Sequence, residues 1–260
     1  QDTYNSFYNE EYRELYHGYN APYENLFNGE LNAGKKISLY LERNGFSIRD
    51  KIIYEVGCGA GGILKYFQDF YNSNVKGCDF GSSGIEYGIK NHQLDLRTGG
   101  IECFKNDLKP DIIIYHHVLE HILNLENELK KVYNLLQNDG ILFVNVPGVK
   151  NLRFKYYADY LKYFQNAHTY YFSLQTLNNL MYKNNFNYES GNEEIIGVFS
   201  KDKVLNKSIV NDYEEQLKYI RNTDRFRYFY RSLSFTYYFA RNFLQKVLNS
   251  FRAIISIFFI

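Results

Sequence analysis

Short apolar runs and helical stretches alternate through the middle of this sequence. Residues 51–56, 74–78, 101–104, 111–115 and 141–146 are β-branched and continuously apolar, as strands covered on both faces are. Between them, residues 61–70, 82–91 and 123–137 carry the longer period of helices. The last of these repeats Leu125, Leu129, Val132 and Leu136 and is stopped by Asn138-Asp139-Gly140. A further helix is expected over 30–45, closed by Gly45, and another from an N-cap at Ser173 to Lys183. Residues 186–189 and 195–200 read as a closing β-pair. Strand–helix alternation predicts parallel crossovers, so the expected fold is a doubly wound, mostly parallel α/β sheet of Rossmann-like type.

The ends of the chain differ from this middle. Tyr4, Tyr8, Tyr12 and Tyr16 recur every four residues and fit one helix face. After Pro147 the sequence is irregular and aromatic, with Phe154, Tyr156, Tyr157, Tyr160, Tyr163 and Phe164. From Arg225 onward there are six Arg or Lys and no acid, with Phe239, Phe243, Val247, Phe251, Ile254 and Phe258 at helical spacing. This is a basic amphipathic helix, too interrupted by cations to span a bilayer. It suits an anionic membrane surface, a protein partner or the domain's own core. The expected organisation is an N-terminal helical segment over 1–45, a ligand-binding domain over 46–200 with an aromatic insert at 148–172, and a helical extension over 201–260.

The strongest chemical signal is Glu55-Val56-Gly57-Cys58-Gly59-Ala60-Gly61-Gly62, placed where a strand ends and a helix begins. Glycines let the main chain turn sharply and let a ligand lie against it. The helix start adds free N–H groups and a partial positive charge. Gly57, Gly59 and Gly62 satisfy the dinucleotide spacing, but Glu55 stands where a pyrophosphate-binding strand is ordinarily apolar. Asp79 ends the next strand, 20 residues past Gly59, where a carboxylate can accept from both hydroxyls of a ribose. Phe80 beside it can cover a purine face. His116 and His117 end the fourth apolar run, at the sheet edge where α/β folds bind ligands.

With the run Asp111 to Val118-Leu119-Glu120-His121, the glycine segment resembles the class I S-adenosylmethionine-dependent methyltransferases, similar to the ubiquinone-biosynthesis type. The E-x-G-x-G-x-G start matches that family's first motif and the V-L-E-H run its fourth. The likeness extends from about Tyr54 to Ser200. It implies a seven-stranded sheet with a closing antiparallel pair and an N-terminal lid helix. It implies S-adenosyl-L-methionine as cofactor, held by Glu55, Gly57, Cys58, Gly59, Gly61, Asp79, Phe80 and His116. Asn106 or Asp107 would reach the adenine amino group. Methyl transfer to a hydroxyl also needs a proton acceptor, and His168, just ahead of Phe172 and Ser173, matches a histidine of such relatives. His117 is the second candidate base. Glu120 and His121 are expected to open the following helix and pack.

Composition narrows the partners. Net charge is +1, no basic patch flanks the expected pocket and no Asn/Asp-Pro-Pro-Tyr motif is present, so nucleic-acid methylation is not expected. The expected acceptor is a small molecule or a glycan. The 27 Tyr and 21 Phe are those of an AT-rich coding sequence rather than a recognition device. Cys58, Cys78 and Cys103 have no metal or disulfide spacing, and no signal-peptide pattern opens the sequence, so a reducing, cytoplasmic setting is expected. No His/carboxylate set shows ligand spacing, and no metal is expected. The competing readings are an NAD(P)-dependent oxidoreductase, which lacks a hydride-transfer pattern such as Tyr-x-x-x-Lys, and a membrane-tethered scaffold that only binds the cofactor.

Overall fold

The computed structural model describes residues 22–151, 159, 163–164, 167–201 and 208–243, apart from 234, 238 and 242. The tyrosine repeat of residues 4–16 and most of the aromatic run after Pro147 lie outside the described residues. A long helix, α1 (Tyr23–Arg43), leads into β1 (Ile52–Val56), α2 (Gly62–Tyr71), β2 (Asn74–Asp79), α3 (Ser82–His92) and β3 (Asp95–Thr98). Then come β4 (Ile112–His116), α4 (Leu125–Leu135), β5 (Ile141–Asn145), α5 (Leu174–Lys183), β6 (Phe186–Asn192), β7 (Ile196–Lys201) and α6 (Tyr213–Arg225).

The strands form one seven-stranded sheet in the order β3-β2-β1-β4-β5-β7-β6. The first five are parallel, while β7 runs antiparallel to both β5 and β6. Two apolar clusters cover the two faces, which accounts for the continuous apolar runs. Alternation along β1 sends Tyr54 and Val56 to one cluster and Ile53 to the other, so Glu55 points to the Ile53 face, where α1 and α2 pack. β1 lies between β2 and β4, and the chain leaves it in both directions. The crevice beyond the ends of β1 and β4 is therefore the switch point at which such sheets bind ligands.

Three sequence readings are corrected. Residues 101–104 are one 3₁₀ turn, Ile101–Phe104, and the strand beside β2 is Asp95–Thr98. Ile101 and Phe104, three apart, are both buried, and Phe104 packs on Tyr54 with ring centroids 4.6 Å apart. β3 was missed because an edge strand needs little apolar surface, and here only Leu96 is buried. Secondly, Glu120 and His121 do not open a helix. Leu119–His121 is a separate 3₁₀ turn, Ile122 is extended, and α4 starts after Asn124, whose side chain caps it by accepting from Asn127 N at 3.0 Å. Thirdly, the first helix begins at Tyr23 rather than residue 30. The cap at Ser173 is present as a capping box with Thr176. Among the described residues no helix is long and apolar enough to cross a membrane.

Candidate functional site

The glycine loop joins β1 to α2. Gly61 is the N-cap of α2 at φ +84° and Gly57 has φ +73°, conformations that side chains resist. A Cβ at Gly57 would lie 2.2 Å from Val118 Cγ2, so this loop and the loop after β4 touch. Asp79, at the end of β2, accepts from Gly59 N at 2.9 Å through Oδ2 and from Gly81 N at 2.7 Å through Oδ1. Those bonds fix the carboxylate at the rim and leave each oxygen a second lone pair. Burial raises the Asp79 pKa, and the two backbone bonds pull it back. Glu55 is 1% exposed and its Oε2 accepts no hydrogen bond. Burial, then Glu30 and Asp79, push its pKa well up. The same causes hold Cys58 as a thiol, burial first and Asp79 next, which removes it as a nucleophile.

Glu30 was not foreseen. It stands on α1, and its carboxylate accepts from Ala60 N at 3.2 Å and Gly62 N at 2.9 Å, on the loop itself. α1 comes this close because Gly62 has no side chain, and a Cβ there would lie 2.2 Å from Phe27 O.

The second half of the site lies beyond β4. His116 is half-buried beside Asn145, Nδ1 to Nδ2 3.2 Å, and desolvation lowers its pKa to about 3. His117 sits at φ +57°, an uncommon backbone state, with its N–H donating to Asn145 O at 2.8 Å. Its Nδ1 is 3.5 Å from Glu120 Oε1. Glu120 is fully buried and neither of its oxygens accepts a hydrogen bond. Far along the sequence, His168 joins this group, because Glu120 O accepts from Thr169 N at 2.9 Å and from Tyr170 N at 3.2 Å. The rings of His121 and His168 meet edge-on at 4.8 Å.

Hydrogen bonding sets the tautomers. His121 Nδ1 is 2.8 Å from Ala167 O, a pure acceptor, so Nδ1 carries a proton. Tyr171 donates its hydroxyl proton to Tyr163 O at 3.1 Å, so its oxygen accepts from His168 Nδ1, also at 3.1 Å. His168 Nε2 is thereby left basic. Burial lowers the His168 pKa, Glu120 opposes that, and His121 and His117 add to it. Glu120, His121 and His168 each offer one ligand atom, all within 4.8 Å of one another, a set able to hold a divalent cation. The spacing reading missed it because the three ligands come from a turn and a loop far apart in sequence.

The other expected residues fall outside these two clusters. Asp107 is held by Arg97 at 2.8 Å and Lys76 at 3.2 Å, at the β2–β3 edge, and these cations lower its pKa against burial. Asn106 is exposed, and Phe80 is half-buried near the Gly99–Gly100 turn.

A family model described as a methyltransferase domain matches residues 30–190. The chain is 28% identical over 115 residues to a probable (S)-tetrahydroprotoberberine N-methyltransferase of Papaver bracteatum, covering 41% of this chain and 32% of that protein. It is 28% identical over 97 residues to the ubiquinone biosynthesis O-methyltransferase of Pelagibacter ubique (strain HTCC1062), covering 35% of this chain and 40% of the relative. The chain thus spans well under half the length of these curated relatives. Among solved structures, a magnesium protoporphyrin IX methyltransferase from Synechocystis PCC 6803 with bound SAH shares the fold. Its TM-score is 0.53 at 14% identity, over 76% of this chain and 96% of that one. With 30–190 matched as one unit and the glycine loop, Asp79 and the V-L-E-H turn in place, the chain belongs to the class I S-adenosylmethionine-dependent methyltransferases.

Proposed function

We propose that this protein transfers the methyl group of S-adenosylmethionine to a hydroxyl oxygen of a small-molecule or glycan-type acceptor. In this reading residues 46–200 hold both sites, α1 closes the cofactor side, and segment 148–172 meets the acceptor. The observation that carries the reading is the lone-pair-bearing Nε2 of His168 beside a buried Glu120, which stands on the turn just after Val118, the residue that touches the glycine loop. In the transfer the acceptor oxygen forms a bond to the methyl carbon, the C–S bond breaks, and its electron pair stays on sulfur. The acceptor proton passes to His168 Nε2. The cofactor is already activated, so the protein mainly positions the partners and takes that proton.

Calorimetric titration tests the cofactor. S-adenosylhomocysteine should bind in the micromolar range and NADH should not; the reverse result removes the methyltransferase reading and restores the oxidoreductase.

The two orphaned oxygens of Glu120 favour a second form of the same reaction. A divalent cation held by Glu120, His121 and His168 would supply Lewis acidity to the acceptor hydroxyl. His117, 3.5 Å from Glu120, would then be the proton acceptor. Turnover indifferent to chelation supports His168 as base. Loss of turnover restored by Mg²⁺ or Mn²⁺ supports the ligand set.

We also propose that the basic segment 225–260 touches an anionic membrane surface. Phe226, Phe229, Leu233, Tyr237 and Phe239 are all exposed, so their own domain does not cover them. Binding to anionic vesicles should fall as salt rises, because the attraction is screened. Salt-independent self-association without vesicle binding would instead make this face a protein interface.

A further inference from the structure

Three carboxyl groups converge on the glycine loop from three elements: Glu30 from α1, Glu55 from β1 and Asp79 from β2. Glu55 and Asp79 each raise or are raised by a neighbour of this set, and none of the three is in an ion pair among the described residues. Two groups on the adjoining helices have other partners. Lys65 of α2 is paired with Asp69 at 2.7 Å, and His92 of α3 is stacked on Phe27 at 3.6 Å. Cys58, the remaining titratable group of the loop, stays a neutral thiol. A fully buried Glu55 oxygen without a hydrogen-bond partner completes a cluster of acceptors whose carboxyl groups have no ion-paired cation among the described residues. Such a cluster complements a ligand that brings positive charge.

Glu30 is the member best placed to respond. Backbone N–H groups hold its carboxylate at the start of α2, Ala60 N at 3.2 Å and Gly62 N at 2.9 Å with Gly61 N adding to them, and a Cβ at Gly59 would meet its Oε1 at 2.1 Å. It therefore both fastens α1 to the loop and lines the space over the loop. We propose that Glu30 is a proton-linked latch: it gives up its proton when a cationic ligand binds beside it, and the resulting carboxylate strengthens its hold on the Ala60 and Gly62 N–H groups, where α1 already rests on the glycine loop. The inference rests on the reading of this loop as the S-adenosylmethionine site. The balance is simple. Glu30 goes from carboxylic acid to carboxylate, the proton goes to solvent, and the sulfonium and ammonium of the cofactor supply the compensating charge. The demethylated product has lost the sulfonium charge and would drive off less.

Geometry and titration agree. Burial raises the Glu30 pKa to about 7, with the loop N–H groups opposing and Asp79 adding to it, so the free protein holds Glu30 partly protonated at neutral pH. The sign follows from linkage. A carboxyl whose folded value lies above its unfolded value stabilises the fold fully at low pH, and that contribution is lost as pH rises through about 7. Ligand that lowers the value binds more tightly at higher pH; a one-unit fall gives about fivefold tightening between pH 6 and 8.

Two measurements on the full chain test this. In the free protein, Glu30→Gln should raise the melting temperature relative to wild type at pH 8 and leave the two alike at pH 5. In calorimetry at pH 7 in buffers of different ionisation enthalpy, wild type should release protons on binding S-adenosylmethionine and fewer on binding S-adenosylhomocysteine, while Glu30→Gln should bind both without that difference. Equal proton release by both proteins, or melting differences that ignore pH, overturns the latch. If the melting difference behaves as expected but neither ligand binds, the cofactor reading fails, and the latch as stated fails with it, leaving only a titrating Glu30.

Discussion

Replacing His168 with alanine is expected to lower turnover about 10²–10⁴-fold while leaving cofactor affinity unchanged. The size follows from removing one proton acceptor from a step the protein otherwise assists only by positioning. The separation of the two effects follows from the fold. His168 belongs to the segment bound to the Leu119–His121 turn, while the cofactor groups stand on the β1 and β2 loops. The pH profile is a second check. His168 must be neutral to act, and burial lowers its pKa below the ordinary 6.5, so the acid limb of the rate profile should lie on the acid side of an ordinary histidine. An acid limb above that value, or an unchanged rate in the alanine variant, moves proton transfer to His117. Tyr171→Phe should give a smaller loss of the same kind, because it frees His168 to take the other tautomer.

Asp79→Ala is expected to weaken S-adenosylmethionine by about 1.5–3 kcal/mol, the range for hydrogen bonds to a charged group, which is about 10- to 150-fold in Kd. The loss has two sources. In the proposed reading the acceptors for the ribose disappear, and the N–H groups of Gly59 and Gly81 lose their common partner, so the loop loses its tie to β2. Turnover at saturating cofactor should change far less than affinity. Unchanged affinity in a folded variant would take the ribose away from Asp79.

Much of this site could be read before the fold was known, and the reason is locality. A glycine loop, the acid 20 residues beyond Gly59 and the strand-end histidines are set by neighbours in sequence, so spacing carries them. The groups that sequence missed are those that packing assembles. Glu30 looks like any helix-surface acid until Gly62 lets α1 descend onto the loop. Glu120 and His121 read as a helix start because a buried carboxylate is invisible without the loop at 167–172 that covers it. β3 escaped for the opposite reason, since an edge strand with one buried residue has too little pattern to detect. Asp107 has the family's position but also two cationic neighbours across strands, Lys76 and Arg97, which spacing along the chain does not show.

The touch between Gly57 and Val118 bears on how such an enzyme can change over generations. Position 57 is closed to any side chain twice over, by its backbone angle and by the valine 2.2 Å from where a Cβ would stand. Position 118 can shrink, to alanine for instance, without disturbing the glycine, but it has no room to grow in that direction. The glycine loop and the turn that follows β4 therefore constrain each other at this one contact: residue 57 stays glycine and residue 118 stays valine or smaller. Lineages that diverge in acceptor should keep that pair, while the stretch after Pro147 is free to be rewritten.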